Sequence, residues 1–329
     1  MFVYGWSGRC AGSEWRTVRG AACAQSCGES PEPASPAYPG GRLHRHRRVY
    51  RRRACQRRPY PRVAQSLRRL GQHFLNDPAI LRRIVDALDP APGEQVLEIG
   101  PGQGTLTQEL LARGLQVVAI EKDRALAEQL RTPYAVRNAP GNLIVIDGDA
   151  LTLDWHRLPA YGAQRTAHAF KVIGNIPYYI TSPLIDKALT PPLPERIVFL
   201  VQDEVADRMA APPGGKTYGA LSVGVQVVAR VEKLFTVAPG AFRPPPKVRS
   251  ALIRLTPLAQ PLVLDVEVAP LRAFVTACFS KRRKQLKNAV PGLNEAELTE
   301  LGFDPTVRPE RLAPAAFVRL FRRAPATHG

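Results

Sequence analysis

The sequence predicts an α/β fold in which a doubly wound, mostly parallel sheet is followed by a small all-helical domain. Short apolar runs, each the length of a buried strand, alternate with amphipathic helical stretches between residues 80 and 202. A glycine-rich turn follows the first of these strands and precedes a helix, an order typical of parallel sheets. Beyond about residue 264 the apolar spacing becomes helical. We therefore predict an opening segment over residues 1–62, a sheet-containing domain over 63–259 and a helical domain over 260–329.

Each predicted element is bounded by turn residues or by a change in the apolar pattern. Two prolines and a glycine within residues 90–93 end the first helix, and the first strand follows at once. In chain order we predict a helix over 80–88, a strand at Gln95–Ile99, a helix over 105–113, a strand at Gln116–Glu121, a helix over 124–131, and strands at Leu143–Asp147, 171–174, 197–202, 231–234 and 250–255. The C-terminal helices are predicted over 271–287, 295–301 and 314–321.

The formal charge of +18 is concentrated at the start of the chain. Residues 1–70 hold 15 arginines, no lysine and three glutamates, a net charge of +12. Residues 1–62 lack sustained helical or strand periodicity, so we predict a disordered, arginine-rich extension. Three interpretations stay open: an arm that binds RNA phosphates, an organelle-targeting peptide, or the product of a start codon placed too early.

The rest of the composition excludes several classes of protein. No run of about 18 apolar residues occurs, so a membrane-spanning helix is not predicted. Four of the five cysteines lie in the opening segment and only Cys278 lies in the body, which excludes a disulfide framework and favours a reducing, cytoplasmic location. Cys23 and Cys27 have no second ligand pair at zinc-site spacing, so we predict no metal.

The strongest local signal is the run Glu98-Ile99-Gly100-Pro101-Gly102-Gln103-Gly104 between the first strand and its helix. Glycines there allow a tight turn and let a ligand approach the backbone. A dinucleotide-binding fingerprint would require glycine at position 105, which is threonine. The observed spacing is instead that of S-adenosylmethionine methyltransferases, and it predicts that cofactor.

Two acidic residues follow the next two strands at the same predicted sheet edge. Glu121 ends the second strand, about 20 residues after the glycine run, where a carboxylate accepts hydrogen bonds from ribose hydroxyls. Asp149 follows the third strand and is placed to accept from the adenine amine of the cofactor. Asp147 competes for that role, but it more simply ends the strand.

The run Asn175-Ile176-Pro177-Tyr178 comes directly after the predicted fourth strand. Adenine N6 is a poor nucleophile because its lone pair is delocalised into the ring. The Asn175 side-chain oxygen and the Ile176 carbonyl can each accept one N6 hydrogen, which orients the lone pair. Pro177 fixes the backbone, and Tyr178 offers a ring face for the base. Taken alone, this four-residue run would equally predict a simple turn. Its position after a strand that follows the cofactor run favours a catalytic role.

Together these residues resemble the ribosomal RNA adenine dimethyltransferases, and most closely their bacterial small-subunit branch. The resemblance covers about residues 65–323 and leaves residues 1–62 unmatched. Its motifs, besides the two runs above, are Gly71-Gln72-His73-Phe74-Leu75-Asn76-Asp77, Tyr218-Gly219-Ala220-Leu221-Ser222-Val223, Phe242-Arg243-Pro244-Pro245-Pro246-Lys247-Val248, Lys281-Arg282-Arg283-Lys284, Gly302-Phe303-Asp304-Pro305 and Arg308-Pro309-Glu310-Arg311-Leu312. The resemblance implies a Rossmann-like S-adenosylmethionine methyltransferase domain with a small C-terminal all-helical domain that binds RNA.

The resemblance also implies roles for single residues. Those expected to contact the cofactor are His73, Leu75, Gly100, Glu121, Asp149 and Asn175. His73 stands where the family often has asparagine, so its contact is expected through the backbone. Tyr178 and Phe242 are expected to sandwich a flipped adenine, although Phe242 before a proline run equally suits core packing. Tyr179, asparagine in many relatives, does not put activity in doubt.

The implied substrate is a pair of adjacent adenosines in the loop of the 3′-terminal hairpin of 16S rRNA. Each would become N6,N6-dimethyladenosine within the 30S subunit or its precursor, and we expect the enzyme to be monomeric. Five cations are predicted to lie on the first C-terminal helix and to contact phosphates rather than only solvent: Lys281, Arg282, Arg283, Lys284 and Lys287.

Three other interpretations stay open. A sister class dimethylates large-subunit rRNA and confers macrolide resistance, but the 218–223 and 302–312 segments favour the small-subunit branch. A ribosome assembly factor that only binds would not need intact cofactor and Asn-x-Pro-Tyr runs. A mitochondrial paralogue suits the N-terminal composition, while the bacterial-looking C-terminal domain speaks against it.

Overall fold

The computed structural model describes residues 72–132, 142–155, 158, 170–191 and 193–325. The predicted extension over residues 1–62 lies outside these ranges. In chain order the strands are β1 (Phe74–Leu75), β2 (Gln95–Ile99), β3 (Gln116–Glu121), β4 (Leu143–Asp147), β5 (Lys171–Asn175), β6 (Arg196–Gln202), β7 (Ala229–Val237), β8 (Phe242–Arg243) and β9 (Ser250–Pro257).

The α-helices alternate with the first strands and then follow one another. They are α1 (Pro78–Leu88), α2 (Thr105–Ala112), α3 (Arg124–Leu130), α4 (Thr181–Ala188), α5 (Asp203–Ala210), α6 (Ala220–Gln226), α7 (Asp265–Ser280), α8 (Leu286–Ala289), α9 (Glu295–Glu300) and α10 (Pro314–Arg323). Within the described residues, no helix is long and apolar enough to cross a membrane.

The main sheet has seven strands in the described part of the chain, in the order β4-β3-β2-β5-β6-β9-β7. The first five pair in parallel, and β9 runs antiparallel between β6 and β7. The chain moves from β2 outward to β3 and β4, then returns to β5 on the other side of β2. Such a reversal of strand order leaves a crevice at the carboxyl ends of the central strands. The predicted doubly wound, mostly parallel α/β fold is confirmed.

Alternation along the strands divides the apolar side chains between the two faces of the sheet. On β2, Leu97 and Ile99 belong to one buried cluster, whereas Val96 belongs to the other. The first cluster continues into the C-terminal helices, where Leu271, Val275 and other apolar residues are fully buried. The helices after residue 260 therefore share a core with the sheet, and their separation as a domain stays a prediction.

The predicted helix over 271–287 is wrong in its bounds. Helix α7 already begins at Asp265, where the Glu267 carboxylate accepts from the Leu264 backbone N–H at 2.8 Å and caps the first turn. It ends at Ser280, and residues 281–284 form turns before α8. From residue 281 to 285 there is no apolar side chain to bury, so nothing holds a helical face against the core.

A short two-stranded ribbon lies beside the main sheet. Strands β1 and β8 pair antiparallel, with Phe74 opposite Arg243 and Leu75 opposite Phe242. The ribbon joins the segment before α1 to the proline-rich segment before β9. It therefore brings two stretches that are about 170 residues apart in sequence to the same edge of the molecule.

Candidate active site

A cavity lies at the carboxyl ends of β2, β3, β4 and β5. Its lining includes every residue predicted to contact the cofactor: His73, Leu75, Gly100, Glu121, Asp149 and Asn175. Ile176, Pro177 and Tyr178 line the same cavity. Of the ten predicted site residues, only Phe242 does not. Among the described residues, no group of three or more histidine, cysteine or acidic side chains could hold a metal ion.

The glycine run adopts a backbone that other residues rarely tolerate. Gly100, Gly102 and Gly104 have φ angles of 66°, 58° and 80°. A Cβ on Gly102 would lie 2.7 Å from the Phe74 ring, and one on Gly104 would lie 2.6 Å from the Leu130 side chain. The run therefore needs glycine both for its conformation and for the close approach of its neighbours.

Glu121 ties the glycine run to the end of β3. Its carboxylate is buried and accepts from the backbone N–H of Gly102 at 2.9 Å and of Asp123 at 2.8 Å. Burial raises its pKa above the ordinary range, while the two backbone donors oppose that shift. Each oxygen keeps a second lone pair, so the carboxylate can still accept from hydroxyls of a ligand.

Asp149 is held from two sides. One oxygen accepts from the Lys122 ammonium at 2.7 Å, and the other accepts from the Leu151 backbone N–H at 2.9 Å. The hydrogen bond from Lys122 lowers the pKa of Asp149, which keeps it ionised and an acceptor. Lys122 also lines the cavity, and the sequence reasoning missed it because nothing in its neighbourhood distinguishes it from an ordinary strand-end lysine.

Asn175 is the last residue of β5, one residue later than the predicted strand end. Its amide nitrogen donates to the His73 carbonyl at 2.8 Å. That bond fixes which way the amide group is turned. The side-chain oxygen makes no hydrogen bond within the described part of the chain, so it is left as an acceptor for a ligand.

Tyr178 is positioned through its hydroxyl and its ring. The hydroxyl lies 2.9 Å from Oγ of Ser250, a buried residue at the start of β9, and the ring centroid lies 5.9 Å from that of His73. Burial raises the pKa of Tyr178 above its ordinary value. Because the hydroxyl is engaged by Ser250, the ring face is the part that Tyr178 can offer to a ligand.

His73 connects the cavity to the proline-rich segment. Its Nδ1 lies 2.8 Å from the Pro244 carbonyl, and because a carbonyl only accepts, Nδ1 must carry the proton. Sequence reasoning did not select Ser250, and it gave Pro244 only as part of the motif over 242–248, without its contact to His73. Both act across more than 70 residues, a distance over which no local motif gives a signal.

Phe242 is placed as the core-packing alternative predicted, and not as a residue that lines the cavity. Its ring is 1% exposed and belongs to the hydrophobic cluster around α1 and α2, because β8 pairs with β1 and turns the ring toward that core. Only Tyr178 of the two expected stacking residues therefore lines the cavity. A contact between Phe242 and a base stays a prediction that requires its ring to become exposed.

Two buried oxygens in the cavity wall lack partners. Oε1 of Gln72 and Oε1 of Glu98 are inaccessible and form no hydrogen bond within the described residues. Burial raises the pKa of Glu98 to about 8, while its other oxygen accepts from the Thr107 hydroxyl at 2.7 Å. Buried polar atoms are normally satisfied, so these two call for a polar ligand. S-adenosylmethionine, with an ammonium and a carboxylate at one end and ribose hydroxyls at the other, fits this set of donors and acceptors.

The five cations predicted for the first C-terminal helix fall into two groups: two form salt bridges and three are exposed. Arg282 is 3.1 Å from Glu310, and Lys287 is 3.0 Å from Glu295. The other three, Lys281, Arg283 and Lys284, are exposed in the turn after α7. A phosphate contact by these residues stays a prediction, but it would be made from a turn and not from a helix face.

Comparisons with known proteins agree with the geometry. The model of the family described as ribosomal RNA adenine dimethylase matches residues 64–324. A protein of Hahella chejuensis called ribosomal RNA small subunit methyltransferase A is 43% identical over 258 residues, which cover 78% of this chain and 92% of that protein. The protein of the same name from Pseudomonas aeruginosa is 42% identical, with 78% and 93% covered.

Two solved structures have a similar fold over the same part of the chain. A dimethyladenosine transferase from Plasmodium falciparum is 27% identical with a TM-score of 0.63, and the match covers 75% of this chain and 96% of that one. The 23S rRNA methyltransferase ErmE is 29% identical with a TM-score of 0.55, and the match covers 76% and 98%.

Proposed function

The chain belongs to the ribosomal RNA adenine dimethylase family, and on that premise we propose that it dimethylates the N6 amines of two adjacent adenosines in the 3′-terminal hairpin loop of 16S rRNA. It is an S-adenosylmethionine-dependent methyltransferase. Relatives named for the small subunit are 42–43% identical over more than nine tenths of their length, whereas the 23S enzyme ErmE is 29% identical. This difference favours 16S over 23S rRNA.

The observation that carries the chemistry is the orientation of the Asn175 amide. With its nitrogen bound to the His73 carbonyl, its oxygen is the atom left for N6 of a base in the cavity. The Ile176 carbonyl is the second acceptor, and the two together turn the N6 lone pair out of conjugation. They also stabilise the positive charge that develops on N6 as the new bond forms.

The rest of the loop holds the base. Pro177 restricts the backbone between the two acceptors and Tyr178. The base must leave its stack to enter the cavity, and the Tyr178 ring offers it a new stacking surface. When bound, S-adenosylmethionine supplies the electrophilic methyl group.

We assign the cofactor to the side of the cavity formed by the ends of β2, β3 and β4. Glu121 would accept from the ribose hydroxyls and Asp149 from the adenine amine. Gly100 would let the cofactor approach the backbone, and His73, just before β1, and Leu75, in β1, would cover it. Gln72 and Glu98 line the same cavity, and each has a side-chain oxygen without a hydrogen-bond partner among the described residues, which supports a polar ligand there.

We further propose that the substrate is the assembled or nearly assembled 30S subunit, methylated in the cytoplasm by a monomeric enzyme. The three exposed cations after α7 support contact with a large RNA surface, since each can neutralise a phosphate.

The first experiment incubates the purified protein with labelled S-adenosylmethionine and, in separate reactions, with undermethylated 30S subunits or with 23S rRNA, and maps the product by nuclease digestion and mass spectrometry. Dimethyladenosine at two neighbouring positions near the 16S rRNA 3′ end is expected. Label only in 23S rRNA would move the protein to the resistance class. Cofactor binding without label in either RNA would favour an assembly factor.

The Asn175→Ala variant tests the chemistry. It should lower kcat by at least about 100-fold, because one oriented acceptor for the developing charge is lost. S-adenosylmethionine affinity, measured by calorimetry, should change much less. Asn288→Ala, the same replacement on an exposed residue of α8, is the matched control. Undiminished turnover in Asn175→Ala would contradict the assigned mechanism.

A further inference from the structure

The proline-rich segment between β8 and β9 is anchored to the cavity wall on both sides of Lys247. The Pro244 carbonyl accepts from His73, and Ser250 is bonded to Tyr178, at 2.8 and 2.9 Å. Both partners line the cavity. Lys247 is three residues from each anchor, so its Cα lies within about 11 Å of both anchor Cα atoms. We call residues 243–249 the rim segment.

The rim segment carries cations that no carboxylate compensates. Arg243 and Lys247 are exposed, and within the described residues neither forms a salt bridge. Within the part of the chain that the structure describes, the Arg243 guanidinium donates to the carbonyls of Gly240 and Phe242, at 3.4 and 3.2 Å. Arg249 differs, because it is 2.8 Å from an Asp203 oxygen. Two positive charges without a salt-bridge partner among the described residues therefore lie on a segment that is anchored to the cavity wall, although neither side chain lines the cavity itself.

The segment is also stiff. Its three consecutive prolines, residues 244–246, restrict φ, and Pro246 is buried. The backbone that presents Lys247 is therefore largely ordered before any ligand binds, which lowers the entropy lost on binding. Val248, 45% exposed, adds apolar surface next to the lysine. A stiff, cationic and partly apolar edge is well suited to bind an RNA strand, whose phosphates are negatively charged and whose bases and sugars offer apolar surface.

We propose that Arg243 and Lys247 bind the RNA phosphates that flank the adenosine placed in the cavity. This inference rests on the proposed function, and it concerns a surface separate from the turn after α7. Phosphate contacts by arginine and lysine fix the register of a strand without reading its sequence. The rim segment would then set which nucleotide faces the cavity, while Tyr178 and Asn175 engage its base.

The test compares Lys247→Ala with the wild type in equilibrium binding to undermethylated 30S subunits over a series of KCl concentrations. Loss of one phosphate contact should weaken binding several-fold at low salt and reduce the slope of log affinity against log salt by about 1. Affinity for S-adenosylmethionine and the thermal midpoint should stay at wild-type values. Lys247→Arg should keep most of the affinity and the slope.

Arg230→Ala is the matched control. Arg230 is an exposed cation at the start of β7, whereas Ser250 pairs with Val237 at the other end of that strand. It should leave the salt slope unchanged. An equal loss in Arg230→Ala, or an unchanged slope and affinity in Lys247→Ala, would overturn the inference. A fall in cofactor affinity in Lys247→Ala would do so too.

A separate assay distinguishes failure of the proposed function from failure of this inference. The wild type is first assayed for methylation of 16S and 23S rRNA, as above. Methylation of 23S rRNA alone would overturn the proposed substrate. The slope of log affinity against log salt would then be measured for Lys247→Ala binding to the subunit that contains 23S rRNA. It would still decide whether the rim segment contacts phosphates, because binding does not depend on turnover.

Discussion

At the scale of single residues, Ser250 matters because it holds Tyr178. The serine hydroxyl is buried at the first position of β9 and lies 2.9 Å from the tyrosine hydroxyl. The Tyr178 ring also lies 5.9 Å from the His73 ring, measured between centroids. The position of the stacking surface therefore depends on a residue that sequence reasoning did not select.

A double-mutant cycle measures this dependence. Ser250→Ala and Tyr178→Phe each remove one side of the same hydrogen bond, so each should lower kcat/KM by about tenfold, equivalent to roughly 1.4 kcal/mol. The double variant should be no worse than either single one, because the bond can be lost only once. Additive losses would show that the two residues act independently. Ser250→Thr, which keeps a hydroxyl, should recover most of the activity.

Glu98 should make stability depend on pH. Its folded-state pKa is raised to about 8, mainly by burial, from an ordinary 4.5. Between these values the unfolded chain releases the proton while the folded protein keeps it, so stability falls as pH rises through this window. Below pH 4.5 both states are protonated, and above about 8 both are ionised.

Glu98→Gln removes this titration and nearly preserves the shape of the side chain. The variant should therefore gain in thermal midpoint over the wild type by a few degrees from pH 5 to pH 8, measured in the absence of cofactor. Glu300→Gln, on an exposed residue of α9, is the control and should show no such trend. A constant difference across pH would mean that the Glu98 proton is not retained on folding.

At the scale of elements, the glycine run places two constraints on the same residue. Gly104 combines a φ of 80° with a Cβ position 2.6 Å from the buried Leu130 side chain. Gly114 has a similar φ of 74°, but its nearest atom would be 3.9 Å away. The two positions thus share the backbone strain and differ in crowding.

Alanine at the two positions separates these effects. Gly114→Ala should lower the free energy of unfolding by about 1–2 kcal/mol, the cost of a left-handed backbone. Gly104→Ala should lose about 1–3 kcal/mol more, because the new methyl group overpacks Leu130. Urea unfolding measures both. Equal losses would mean that Leu130 moves aside without cost.

Elements were predicted well when they were long and when the residues that define them are neighbours in sequence. Strands such as Gln95–Ile99 and Leu143–Asp147 were predicted to the residue because each is a short, mainly apolar run between turn residues, although β2 is central and buried and β4 is a partly exposed edge strand. The β1–β8 ribbon was not predicted, since two residues per strand show no periodicity. The end of α7 was missed because it is set by tertiary burial after Ser280, not by a proline or glycine.

The candidate site divides in the same way. Asn175 and Glu121 lie in or follow contiguous motifs, so their residue types and spacing carried the signal. Lys122, Ser250 and the unpartnered Glu98 oxygen gained their roles from neighbours distant in sequence or from burial, neither of which one sequence reveals. Phe242 shows the reverse: a motif suggested a surface contact, and strand pairing buried the ring.

At the scale of the whole molecule, the positive charge and the catalytic body are separate. Residues 1–62 hold 13 arginines and three glutamates, a net charge of +10, and they precede the region that matches the family, which begins at residue 64. A chain that begins at residue 63 should therefore keep its kcat on 30S subunits. Its KM at low salt tests the open interpretation of the opening segment as an RNA-binding arm, which predicts a several-fold increase. A loss of kcat would place residues 1–62 in the catalytic machinery.

The β1–β8 ribbon connects the wall of the cavity to the rim segment that we propose binds RNA. On one side the Leu75 carbonyl accepts from the Thr105 hydroxyl at 2.9 Å, beside the cofactor run, and on the other side β8 continues into the rim segment. Under the two proposed binding modes, any change in the ribbon that favours one ligand and also favours the other would couple their affinities. Reciprocity then fixes a symmetric relation: the factor by which S-adenosylmethionine tightens RNA binding equals the factor by which RNA tightens S-adenosylmethionine binding.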